Sequence, residues 1–138
     1  MTANVRNEMR QAFFDAWQKY KTDQPLNPLD KQVVQVIQAH PEYYPLLNDD
    51  AEAIHQDYTT ADNPFLHMGL HLSVLEQIDT NRPSGIQDIY QKLSHKLDNP
   101  HRTQHLIMDV LGKIIWDAQQ KGTAPDEQHY LVLLQALI

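Results

Sequence analysis

Apolar positions recur at spacings of three and four along most of the chain, the signature of helices that bury one face. Val5, Met9, Phe13, Ala16, Trp17 and Tyr20 lay one stripe along a first helix from Asn4 to Lys21. After a linker over Thr22 to Asn27, the pair Asn27-Pro28 reads as an N-cap followed by proline in the first helical turn. The second helix then carries Leu29, Val33, Val34, Ile37 and His40, and Pro41 stops it, because the residue before proline avoids helical backbone. Asn63-Pro64 and Asn99-Pro100 repeat the cap signal and open helices that run to Asp79 and Lys121. Between them Arg82-Pro83 breaks the chain. Ser84 with Gln87 then fits a capping box for a helix with Ile86, Ile89, Tyr90, Leu93 and Leu97 on one stripe. Gly122 is a left-handed terminator, and Thr123 and Pro125 restart a last helix with Tyr130, Leu133, Leu134 and Leu137 inward. The pattern weakens from Pro41 to Asp62. Tyr43, Tyr44, Leu46 and Leu47 suggest one short helical turn, and residues 48–60 read as a polar, irregular excursion.

Strand-like alternation is nearly absent, so the predicted class is all-α, a bundle of five or six helices in one domain over residues 1–138. That length buries enough surface to fold without a staple. The chain has no cysteine, which excludes disulfides, thiolate metal sites and cysteine nucleophiles and fits a reducing cytoplasm. The charged residues through Lys21 interrupt any leader-like apolar region, and no run approaches the ~20 apolar residues of a membrane span. The formal charge of −7 repels phosphate backbones, and with no arginine cluster or glycine-rich loop it argues against nucleic-acid binding. No serine sits in a nucleophile elbow. Trp17 and Trp116 read as core anchors.

The chemistry that stands out is histidine, eight residues in all. Four form two pairs at i, i+4: His67 with His71, and His101 with His105. Each pair shares one helix face. His67 and His71 share theirs with Val74, Leu75 and Ile78, and His101 and His105 with Met108, Gly112 and Ile115, so both pairs are expected to face inward. Inward imidazoles cost free energy unless each nitrogen has a partner. One solution is a divalent metal at about 2.0–2.1 Å from each nitrogen. Asp109, one turn beyond His105, and Glu42, beside His40 at a helix break, are the carboxylates placed to complete such a site. His40 is a further candidate ligand, and Glu76 ranks lower because it falls on the opposite face from His67. A mixed nitrogen and oxygen set fits zinc, iron or manganese, and an open position would let the ion activate water. The other solution is hydrogen bonding among the rings or to carboxylates. The protein is then a non-enzymatic structural or interaction module, and the polar 41–62 segment or the acidic surface meets a protein partner. Small helical bundles often pair, so a homodimer is compatible with the pattern, although no feature demands one. His55, His95 and His129 are expected at the surface.

The stretch Asn63-Pro64-Phe65-Leu66-His67-Met68-Gly69-Leu70-His71-Leu72, continued by Glu76-Gln77, resembles a bacterial family known as domain of unknown function 1841. His40-Pro41-Glu42-Tyr43, Arg82-Pro83-Ser84-Gly85, His101 with His105, and Trp116 add to the resemblance, which spans nearly the whole chain. It implies a single-domain protein of this length and no particular activity. It also draws attention to Glu76, and it sets Tyr44 where the family often has histidine.

Overall fold

The computed structural model describes residues 3–49 and 63–138. Among them are seven α-helices and no strand, one or two helices more than the pattern predicts. In order they are α1 (Ala3–Lys21), α2 (Pro28–Gln38), a 3-10 turn (Pro41–Tyr43), α3 (Tyr44–Asp49), α4 (Pro64–Thr80), α5 (Ile86–Leu97), α6 (Pro100–Lys121) and α7 (Glu127–Gln135). The extra helix is α3, where Tyr44, Leu46 and Leu47 extend the expected single turn. Asn48 and Asp49, the first two residues of the predicted irregular stretch, belong to this helix, and the rest of that stretch, with His55, lies outside the described residues. None of the described helices is long and apolar enough to cross a membrane.

The chain divides into two compact units, Met1–Gly69 and Leu70–Ile138. In the first, α1 packs on α2 and α3. Its buried residues include Phe13, Phe14, Trp17, Val33, Val36, Ile37 and Leu47. Phe65 sets its ring 6.3 Å from both Phe13 and Phe14, and the Arg10 guanidinium lies 5.0 Å from the Phe65 centroid, a cation–π contact. Arg10 and Phe14 thus share the buried face of α1, while Met9 and Tyr20 at the edges of the predicted stripe are exposed. Trp17 is an anchor as expected, its indole N–H donating to Asn48 Oδ1 at 2.7 Å.

In the second unit, α5, α6 and α7 pack on one another. Val74, Ile86, Ile89, Ile107, Met108, Leu111, Ile114, Tyr130 and Leu134 form its core. Trp116, expected as an anchor, is instead 59% exposed. The buried stripe of α6 runs through Thr103, Ile107, Leu111, Ile114 and Ala118. Trp116 is two residues from Ile114, about 200° around the helix, and so faces away from that stripe.

All three Asn-Pro signals are helix caps. Asn27 Oδ1 accepts from Asp30 N at 2.7 Å, Asn63 Oδ1 from Phe65 N at 3.0 Å, and Asn99 Oδ1 from Arg102 N at 3.0 Å. At Asn27 the Asp30 side chain also accepts from the Asn27 N–H, a full capping box. Ser84 does not cap α5. Gly85 occupies the N-cap position with φ +102°, which leaves Ser84 one residue too early. Asn81, itself at φ +52°, takes the role: its Oδ1 accepts from Gly85 N and Gln87 N at 3.2 and 3.1 Å. The last helix likewise starts later than predicted, because Asp126 caps it by accepting from His129 N at 3.0 Å.

The Tyr130 hydroxyl donates to Gln77 Oε1 at 2.7 Å, and burial pushes its ionisation well above the ordinary tyrosine range. The unfolded chain ionises this group near 10, while the folded chain holds it neutral. Below that pH the hydroxyl is protonated in both states, and its ionisation adds no pH dependence to stability. Above it stability falls, by about 1.4 kcal/mol per pH unit, until the folded group also ionises. Tyr130→Phe is expected to cost about 1 kcal/mol at neutral pH, through the lost hydrogen bond, and to flatten the alkaline fall. Urea unfolding of both proteins near neutrality and at about pH 11 checks this; an equally steep fall in the variant would exclude Tyr130 as its source.

Candidate metal centre

The N-terminal turns of α4 and α6 carry the histidines because their caps start those helices at Pro64 and Pro100. His67 and His101 lie in the opening turns, and His71 and His105 one turn further on. In the second unit, one member of the first pair meets both members of the other. The ring centroids of His71 lie 5.2 Å from His105 and 5.6 Å from His101, and His101 lies 4.3 Å from His105. A ligating nitrogen from each of these three residues falls within 4.8 Å of the others.

Burial grades across the cluster. His71 is 1% exposed, His105 is half-buried and His101 is exposed. His101 was expected to face inward. It lies in the first turn of α6, on the flank of the buried stripe, and so forms the solvent side of the cluster.

His71 is oriented by residues that pattern reading did not single out. Gln104 Nε2 donates to the Tyr90 hydroxyl at 3.2 Å, which turns Gln104 Oε1 toward His71 Nε2 at 2.6 Å. An amide oxygen can only accept, so His71 carries its proton on Nε2 and Nδ1 holds the lone pair. Fixing a ring through its other nitrogen is how proteins prepare imidazole for a metal. Gln104 lies next to His105 in sequence, but its role depends on Tyr90 of α5 facing it, which helical spacing within α6 does not encode.

His67 belongs to the first unit, and there it meets His40. The two Nε2 atoms are 2.9 Å apart, with ring centroids at 4.6 Å and planes at 82°. His40 Nδ1 is 2.7 Å from the Val36 carbonyl oxygen. That oxygen must accept, so His40 is protonated on Nδ1 and presents the Nε2 lone pair to His67 Nε2–H. Tyr43 stacks on His40 with centroids 5.6 Å apart, and burial together with the neighbouring Glu42 charge raises its ionisation.

Glu42, Glu76 and Asp109 are all exposed, and no carboxylate belongs to a metal-capable group among the described residues. The Glu76 backbone carbonyl accepts from Thr80 Oγ1 at 2.8 Å. His95 and His129 are at the surface as expected.

The class these features define is an all-helical protein with a candidate metal centre that is built, among the described residues, from histidines alone. The chain belongs to the family described as domain of unknown function (DUF1841), whose model matches residues 5–136. No curated protein and no solved structure matches it.

The tautomers follow from the hydrogen bonds and can be read directly. Long-range 1H–15N spectra of the metal-free protein near neutral pH are expected to show His40 protonated at Nδ1 and His71 at Nε2. Gln104→Leu is expected to return His71 to a mixture and leave His40 unchanged. A His71 signal indifferent to Gln104 would refute the orientation argument.

Proposed function

We propose that the protein binds a divalent transition-metal ion through His71, His101 and His105. The observation that carries this reading is that three imidazoles from two helices offer nitrogens within 4.8 Å of one another. Ligands around a tetrahedral ion at about 2.0–2.1 Å lie roughly 3.4 Å apart, so closing the site requires ring shifts of about 1.5 Å or less. His101 is the ring most able to make them, because it is exposed and in a first helical turn. His71 is held for the task, with Nε2–H on Gln104 and Nδ1 as the ligating atom.

The donor set narrows the ion. With nitrogens and, among the described residues, no carboxylate, imidazole chemistry favours zinc or iron over manganese, which prefers oxygen. Three protein ligands leave at least one coordination position, and the exposed His101 side gives it access to solvent. An ion held in this way supplies Lewis acidity and lowers the ionisation of a bound water toward neutrality.

Protein purified without an affinity tag and stripped with chelator is expected to take up zinc and to gain a thermal midpoint several degrees higher at saturating metal, since an ion at 100 times its dissociation constant contributes about 2.7 kcal/mol. His71→Ala combined with His101→Ala is expected to lower the bound zinc by one ion per chain and to shrink the shift. Zinc content and midpoint unchanged in that double variant would overturn the proposal.

A further inference from the structure

We propose that His40 and His67 form a second divalent-cation site, in the first unit, which holds an ion through their two Nε2 atoms. The argument starts at the end of α2. Its last carbonyls have no helical N–H partner. His40 N donates to Ile37 O at 2.9 Å rather than to Val36 O. Pro41 pulls His40 out of the helix, to φ −129° and ψ 68°, and the ring turns back to cover the Val36 oxygen with Nδ1–H. The carbonyl that ends the helix therefore fixes the His40 tautomer, and Nε2 is left as the donor of a lone pair. Histidines that ligate metals are held in this way, by a hydrogen bond from the other ring nitrogen to a carbonyl or carboxylate.

The separation of the two rings favours a particular ion geometry. At about 2.0–2.1 Å from a common ion, two ligands at right angles lie roughly 2.9 Å apart. His40 Nε2 and His67 Nε2 are 2.9 Å apart already. In the metal-free protein that gap is spanned by the Nε2–H···Nε2 hydrogen bond, so an ion with neighbouring ligands at 90° takes its place once both rings turn their Nε2 lone pairs toward a common point and His67 moves its proton from Nε2 to Nδ1, with no change in net charge. Tyr43 braces both rings, stacked on His40 and edge-on to His67 at 6.3 Å. Right-angle imidazole pairs suit tetragonal ions, nickel(II) and copper(II), better than a strictly tetrahedral zinc site. Water or other donors fill the remaining positions.

The two proposed ligand sets share no residue, and one set of titrations separates them. The probe is Ni2+, followed by calorimetry on metal-free full-length protein. The His71→Ala, His101→Ala variant is expected to retain one bound Ni2+ per chain. Adding His67→Gln to it is expected to weaken that binding by about tenfold or more, as loss of a ligand outweighs the effect of losing an outer-shell partner. The pair proposal is overturned if the double variant binds no Ni2+, or if His67→Gln leaves its affinity unchanged. Zinc uptake that is insensitive to His71 and His101 overturns the triad instead. A measurement without substitutions guards against misfolding. In the wild-type chain, saturating Ni2+, which is paramagnetic in six-coordinate sites, is expected to shift or broaden away the His40 and His67 ring resonances, and resonances left unmoved would overturn the pair.

Discussion

A neutral imidazole placed out of water has two nitrogens with opposite needs: one must donate and the other must receive. This constraint governs the histidines of the protein. Each ring that is anchored at one nitrogen by a group of fixed polarity has its other nitrogen determined as well. The Val36 carbonyl does this for His40 and the Gln104 amide oxygen does it for His71. Neither anchor is a charged group. The rings are oriented by neutral dipoles, a backbone carbonyl and a side-chain amide.

The backbone supplies the anchors through its ends. Helix termini are where hydrogen-bonding groups lack helical partners. The Asn-Pro pairs satisfy the N–H groups at the starts of α2, α4 and α6, and they fix the first residue of each helix. Once that residue is fixed, the positions of His67, His71, His101 and His105 around their helices follow from the 100° step. At the other end of α2 the satisfied group is a carbonyl, and the capping group is the His40 ring itself. The same residue thus ends a helix and carries chemistry.

The caps, the helix class and the i, i+4 pairs were legible in the sequence because each is local: a cap involves neighbours within three residues, and a helical stripe repeats within one turn. The partnerships were not. Within the second unit His71 meets both His101 and His105, as convergence of the pairs requires, but within the first unit His67 meets His40, a partnership that no spacing along one helix encodes. His67 and His71 share a helix, but they sit 40° apart on it after one turn, enough for their neighbours to differ. Gln104 and Tyr90 gave no signal for a related reason. A glutamine one position from a histidine has no meaning until another helix presents a hydroxyl to it. The error at Trp116 has a simpler origin, since size suggested burial while phase on α6 decided exposure.

Among the described residues no carboxylate belongs to the histidine cluster, and this bears on the metal chemistry proposed for it. A dication held by neutral rings keeps its whole charge, whereas each carboxylate ligand would cancel one unit of it. The ion then withdraws electron density from its remaining ligand more strongly, which favours hydroxide over water and an anionic over a neutral guest at the open position. The chain as a whole carries a formal charge of −7, but charges spread over a surface are screened beyond about 8–10 Å and cannot replace a ligand in direct contact. A carboxylate brought into the cluster would hold the ion more tightly and make it a weaker Lewis acid. Three imidazoles with an exposed edge at His101 would trade some grip for reactivity and access, the balance that separates an ion able to meet other molecules from one that only braces a fold.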